Sequence, residues 1–280
     1  MGNLLTAGFY RLGKNKVFWL GMLAMLAMLA ISAGMMLNGS RQAGVMMAEG
    51  YLRTLDDYYF KLAPVIGLFC AIFASLFIGT EHSEGTLRNK IVVGRTRPAI
   101  YLANYVICFA AGVCFVALWL LGGLVGIPVL GVWEMGTNGV LLYVVTALCF
   151  TGAWTGMFTL LAMLSSNKAT TAVLAILLAL GLLVAAALLY NSLCVPELNS
   201  GMVITKNGME MAEPTPNPNY VSGMKRTLYQ LVLDCLPSGQ GILMANQELG
   251  RPLLSLAASG VIALVTTAAG VFAFGRKDLK

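Results

Sequence analysis

An all-α, polytopic membrane protein is the expectation from three features of this 280-residue sequence. Hydrophobic residues make up 58% and charged residues only 11%, against roughly 25% charge in ordinary soluble domains. The mean hydropathy is +0.79. Six uncharged runs, 17–37, 62–80, 100–126, 139–164, 169–190 and 253–274, are each long enough to cross a hydrocarbon core about 30 Å thick as a helix. A soluble enzyme, a secreted disulfide scaffold and a disordered regulator are excluded, and 1–280 reads as one six-span domain.

Ahead of the first run, Leu5, Phe9 and Leu12 recur at helical spacing, with Asn3, Arg11 and Lys14 elsewhere around the wheel. That is the pattern of a short interfacial helix, although Gly8 and Gly13 weaken it. An elbow helix bracing the bundle and a plain basic leader are both open. The first run ends near Ala30-Ile31-Ser32-Ala33, with some look of a cleavable signal, but it is long enough to span and five more runs follow. Met1-Gly2-Asn3-Leu4-Leu5-Thr6 matches a myristoylation pattern and is read as chance.

Between the first two spans, Tyr51, Tyr58, Tyr59 and Phe60 suit an interfacial aromatic belt, with a substrate-contacting role as the alternative. In the fourth run Thr146, Thr151, Thr155 and Thr159 dilute the apolar character, which places it inside the bundle. The fifth run, with eight Leu, one Ile and two Val, is the strongest spanning signal. Gly122-x-x-x-Gly126 and Gly152-x-x-x-Gly156 permit close helix approach, within the chain or at a dimer seam.

The long loop 191–252 holds six of the nine prolines. Alternate prolines between Ala212 and Tyr220 forbid a helix or central strand there. Beyond them, Val221 to Leu236 reads as an amphipathic helix with Leu228, Leu231, Val232 and Cys235 on one face. Ser238 is placed to cap a second short helix reaching Asn246. The pair is expected to lie on the membrane surface or dip into it. Cys194 and Cys235 share this loop, and a disulfide between them is open.

Lys and Arg mark the inner side of a membrane. With the N-terminus inside, the inner segments carry 11 basic and three acidic residues, the outer ones seven and nine. Both termini are therefore expected in the cytoplasm of a multi-pass protein of the bacterial cell membrane. The net charge of +6 reads as topology, and no nucleic-acid partner is expected.

No span contains Asp, Glu, Lys, Arg or His, so the midplane groups that couple an ion gradient to transport are missing. The single His82 is read as solvated at a membrane edge, and no His-Glu-x-x-His metal motif is present. No phosphate-binding G-x-x-x-x-G-K-[ST] loop occurs. No catalytic residue, metal site or resident cofactor is expected, and energy for uphill movement of a solute has to come from another chain.

The segment after the second span is the most informative. Glu84 and Arg88 stand four apart in the favourable order, Leu87 and Ile91 share a face, and Gly94 suits a helix end. A short helix parallel to the membrane follows, or else a plain linker whose arginines hold topology. The run Glu84-Gly85-Thr86-Leu87-Arg88-Asn89-Lys90-Ile91, followed by Gly94, Arg97 and Tyr101 after the second of six spans, resembles the permease subunits of type-two ABC exporters. The ending Phe274-Gly275-Arg276-Lys277-Asp278-Leu279-Lys280 is similar to the close of many such permeases in Gram-positive bacteria.

The resemblance implies an ATP-driven exporter of two permease chains and two cytoplasmic ATPase chains, with ATP and Mg bound by the ATPase. It implies a coupling helix that docks on the ATPase, here Glu81, Glu84, Gly85, Thr86, Leu87, Arg88 and Asn89, and an elbow helix around Phe9, Arg11, Leu12 and Lys14. It also implies an outer re-entrant pair near 221–246. The lining expected from Ser75, Asn104, the span-four threonines and Trp154 suits amphipathic or lipidic cargo. A non-transporting anchor or regulatory scaffold for a cytoplasmic partner is the alternative, and a secondary transporter the remainder.

Overall fold

In the computed structural model the described residues are 1–46, 59–124, 135–199, 202–205, 208–211 and 214–277. Tyr51, Tyr58, Gly126 and Asp278 to Lys280 therefore lie outside them. Six helices are long and apolar enough to cross a membrane, which makes the chain an all-α polytopic membrane protein.

Helix α1 (Gly2–Lys14) ends at Asn15, whose extended backbone turns the chain and whose Oδ1 accepts from Phe18 N at 3.1 Å. That bond satisfies one of the free donors at the start of α2 (Lys16–Met46). A 3-10 turn, Ala63–Val65, leads into α3 (Ile66–Ser83), and α4 (Thr86–Val92) precedes α5 (Arg97–Gly123). Then come α6 (Gly136–Leu164) and α7 (Lys168–Leu193), the latter capped by Asn167, whose Oδ1 accepts from Ala169 N at 2.9 Å.

The following region contains two small ribbons that the sequence reading did not anticipate. Strand β1 (Leu198–Asn199) pairs with β4 (Thr215–Pro216), and β2 (Met202–Thr205) with β3 (Gly208–Met211). The signal for the inner ribbon was present in the β-branched run Val203, Ile204 and Thr205. The last helices are α8 (Gly223–Cys235), α9 (Pro237–Ala245) and α10 (Pro252–Arg276).

Helices α3 and α6 form the centre, wrapped by α5, α7 and α10, with α2 against α5. The span-four threonines are buried in that centre, as their polarity suggested, and Thr146, Thr151 and Thr155 each donate to the carbonyl four residues earlier. Ser75 and Trp154 are likewise buried. These residues are packing groups, all but the Thr159 hydroxyl satisfied within the bundle, and not the lining of an open path through a single chain. Gly156 lets α6 approach α10, where an added Cβ would run into the Thr266 hydroxyl, and Gly122 lies under Leu29. Both small-residue sites are therefore used inside the chain.

Two further expectations, the aromatic belt and the Ser238 cap, are corrected. Tyr59 and Phe60 are buried rather than at an interfacial belt: Phe60 packs on Trp119 and Tyr143, and Trp119 Nε1 donates to the Tyr59 carbonyl at 2.7 Å. In α8, Leu228 and Leu231 are exposed and the buried residues are Leu233 and Asp234. All nine residues of α9 are buried, so of the two placements expected it takes the inward one and enters the bundle. It can do so because Gly241 sits where a Cβ would be 3.0 Å from Pro64 Cα, and because buried Gln240 donates to the Asp234 and Ser255 carbonyls and accepts from Ser259 Oγ. Pro237 starts this helix, while Ser238 Oγ is buried without a hydrogen bond and caps nothing.

Candidate functional site

One buried carboxylate gathers the pieces at the N-terminal end of the bundle. Glu81, in the last turn of α3, is 3% exposed and accepts from Arg11 of α1, Lys90 of α4 and, at 2.9 Å, Asn104 Nδ2 of α5. Arg11 also donates through Nη2 to the Phe77 carbonyl at 3.0 Å and lies 3.6 Å above the centre of the Phe77 ring. A planar guanidinium suits that stacked, forked role where an ammonium would not. A lone carboxylate at this burial would be strongly disfavoured, whereas two cations and an amide satisfy it.

Helix α1 seats Arg11 by turning one face inward. Leu4, Leu5, Gly8, Arg11 and Leu12 are half-buried or buried, while Phe9 and Lys14 are exposed. The expected apolar face was therefore misplaced. Phe9 does not belong to it, and Arg11, placed elsewhere on the wheel, faces the core because Glu81 waits there. Gly8 is an asset, since a Cβ would run into the Ile107 side chain.

The link from α3 to α4 is made by Gly85, which has φ +68°, a left-handed conformation that favours glycine. Thr86 Oγ1 donates to the Glu81 carbonyl at 3.2 Å. Gly94, at φ +84°, closes α4, with its N–H on Ile91 O at 2.8 Å and Arg95 N on Lys90 O at 3.1 Å, a reversal typical of glycine helix ends. Glu84 lies before α4 rather than inside it, and among the described residues no ion pair joins it to Arg88. The expected four-apart pair is replaced by Glu81–Lys90, since the turn at Gly85 breaks helical spacing.

Leu87 is buried and holds α4 to the bundle, so it is not presented to a partner. The face that α4 does present carries Arg88 and Asn89, then Val92 and Val93, 79% and 76% exposed. The valines were overlooked in the sequence, where an apolar pair at a helix end reads as packing. His82 is only part-exposed and its Nε2 is buried, so it is not simply solvated.

Beside this joint two helix ends are tied off by cations. Arg97 Nη1 donates to the carbonyls of Phe274 and Gly275, both at 3.2 Å, and of Lys277. Lys277 Nζ donates to Met163 and Ser165 carbonyls at 3.1 and 3.2 Å, and burial holds its pKa below the ordinary lysine value. Tyr101 packs against Gly270. Arg97, Tyr101 and the closing Phe274-Gly275-Arg276-Lys277, read separately along the sequence, thus meet in space. At the opposite end of the bundle, Cys194 and Cys235 are free thiols, so the possible disulfide is not formed here.

Comparison with known proteins yields one family. Residues 4–193, from the elbow helix through α7, match the family described as ABC-2 family transporter protein. No curated protein matches the chain significantly.

Proposed function

We propose that this chain, which belongs to the ABC-2 family of transporter proteins, is the permease of an ATP-driven exporter whose energy enters through α4. Membership makes it a membrane transporter component. The finer reading is that a separate cytoplasmic ATPase, holding ATP and Mg, docks on Arg88, Asn89, Val92 and Val93. The elbow around α1 lies beside that contact, and both termini are cytoplasmic.

The observation that supports this is the Glu81 joint. Helix α4 is too short to carry force by its own stability, yet Lys90 is tied to a carboxylate that also holds α1, α3 and α5. A push on α4 is therefore delivered to two membrane-spanning helices and the elbow at once, as a two-state rigid-body transition requires. Because the polar residues of α6 are packed within the bundle, a solute path is best formed between this chain and a second permease chain.

The test is to purify the chain from its native membrane and measure co-purifying ATP hydrolysis. With Val92→Asp and Val93→Asp together, retained hydrolysis should fall about tenfold or more, the loss expected when a small apolar contact is replaced by charge. The unfolding temperature should hold. Retained hydrolysis at the unsubstituted level sinks the docking assignment. ATP-dependent solute flux into reconstituted inverted vesicles separates a permease from a scaffold that only anchors the ATPase.

A further inference from the structure

At the end of the bundle opposite Glu81, the end of α7, the helix α8 and the turn before α10 enclose a cavity of about 360 Å³. Arg226, Asp234, Glu248 and Arg251 line it, together with Tyr190 and Leu233. Asp234 is 5% exposed, and its carboxylate makes no hydrogen bond or ion pair with any described residue, while its backbone carbonyl accepts from Gln240. Burial pushes its pKa up while the Arg251 charge, beyond ion-pair distance, pulls it down.

The backbone holds these opposite charges apart. Asp234 is fixed in the last turn of α8, where Gln240 Nε2 bonds its carbonyl at 2.9 Å. Arg251 is fixed at the start of α10, where its carbonyl accepts from Ser255 N at 3.1 Å. Arg226 is engaged elsewhere, over the Tyr220 ring at 5.4 Å and towards the Val221 carbonyl at 3.5 Å. Glu248 lies beside the Tyr190 hydroxyl. A buried carboxylate and a more exposed guanidinium that share a small cavity without pairing present opposite charges to it, and a ligand carrying both signs satisfies both.

We infer that this cavity binds a zwitterionic ammonium–phosphate group, of which phosphoethanolamine is the simplest form. Asp234 accepts from the ammonium, and Arg251 takes the phosphate through its planar donors. The setting favours a lipid headgroup as the source. Below the cavity α7 exposes Val184 and Leu188, 57% and 63% accessible, and the end of a spanning helix lies at headgroup depth. The inference takes from the function proposed above only the orientation that puts this end in the outer leaflet, and its test contains no ATPase.

The experiment uses the full chain purified in detergent. Native mass spectrometry compares bound phosphatidylethanolamine, phosphatidylglycerol and phosphatidic acid, while thermal unfolding reads the soluble probes O-phosphoethanolamine, ethanolamine and inorganic phosphate. Phosphatidylethanolamine should be retained about tenfold more tightly than the other two lipids, as expected for one added charge-assisted contact. Asp234→Asn and Arg251→Gln should each abolish the preference. A response to soluble O-phosphoethanolamine without a lipid preference supports the same site with its ligand in solution. Ethanolamine or phosphate alone matching the conjugate, no response to any probe, or an unchanged preference in Arg251→Gln overturns it. Arg251 is exposed, so that variant tests the site without disturbing the buried end of α8.

Discussion

Arg97, in the first turn of α5, donates from Nη1 to the carbonyl oxygen of Phe274 at 3.2 Å, across 177 residues of chain. The same nitrogen reaches Gly275 and Lys277, so one guanidinium serves carbonyls at the end of α10 that have no donor within the helix. A cation at a helix C-terminus is also favoured by the helix dipole. Arg97→Ala is expected to destabilise by about 1–3 kcal/mol, seen as a lower unfolding temperature in detergent. Arg97→Lys should recover part of the loss, because all three contacts come from one nitrogen, which an ammonium can supply where its shorter stem reaches the same carbonyls.

The Glu81 joint predicts non-additivity. Lys90→Met alone leaves Arg11 and Asn104 on the carboxylate and should cost about 1 kcal/mol, the scale of a partly exposed ion pair. Arg11→Met alone should cost more, since stacking on Phe77 is lost as well. Both together leave a 3% exposed carboxylate with one amide, so the loss should exceed the sum of the two, by about 1 kcal/mol or more. Additive losses in a double-mutant cycle on unfolding would show that the two cations act separately.

What the sequence disclosed and what it hid divide along physical lines. The six spans were legible because an apolar run of membrane length has few alternative readings, and the polar fourth span belonged inside because Thr146 to Thr159 would be poorly placed against lipid. Arg11 was misplaced on the wheel of α1 because amphipathic reasoning assigns charges to solvent, and only a partner 70 residues away, Glu81, reverses that. Glu84 and Arg88 were paired by helical spacing, which fails where Gly85 takes a positive φ. An inward placement of α9 was one of two open readings, and what decides it was hidden: Gln240 looks like a surface residue until Ser255, Ser259 and the Asp234 carbonyl close around it.

Tyr101 and Gly270 give a sharper packing test. The Tyr101 ring covers Gly270 so closely that a Cβ there would stand 2.5 Å from Cε2, and the hydroxyl is buried with no hydrogen bond. Gly270→Ala should destabilise by about 1–3 kcal/mol, the usual cost of overpacking. Tyr101→Phe removes an unsatisfied polar atom and should be neutral or stabilising by about 1 kcal/mol. A marked loss of stability in Tyr101→Phe would reveal a partner for the hydroxyl.

Asp234 ties stability to pH with a definite sign. Its folded pKa lies above the ordinary 3.8 because burial disfavours the charged form, an effect larger than the opposing pull of Arg251. Between the ordinary value and the raised one, the folded chain holds more proton than the unfolded chain. Stability therefore falls as pH rises through that window, and the penalty is fully present above it. Asp234→Asn removes the penalty, so the variant should unfold at a higher temperature than the parent at neutral pH. The difference should shrink as pH falls towards the ordinary carboxylate range. Thermal unfolding of both proteins across that range is the measurement, and a variant less stable than its parent at neutral pH would contradict it. A natural chain that keeps an unpaired buried charge at a loss of stability is trading stability for use, and the cavity shared with Arg251 is where that use would lie.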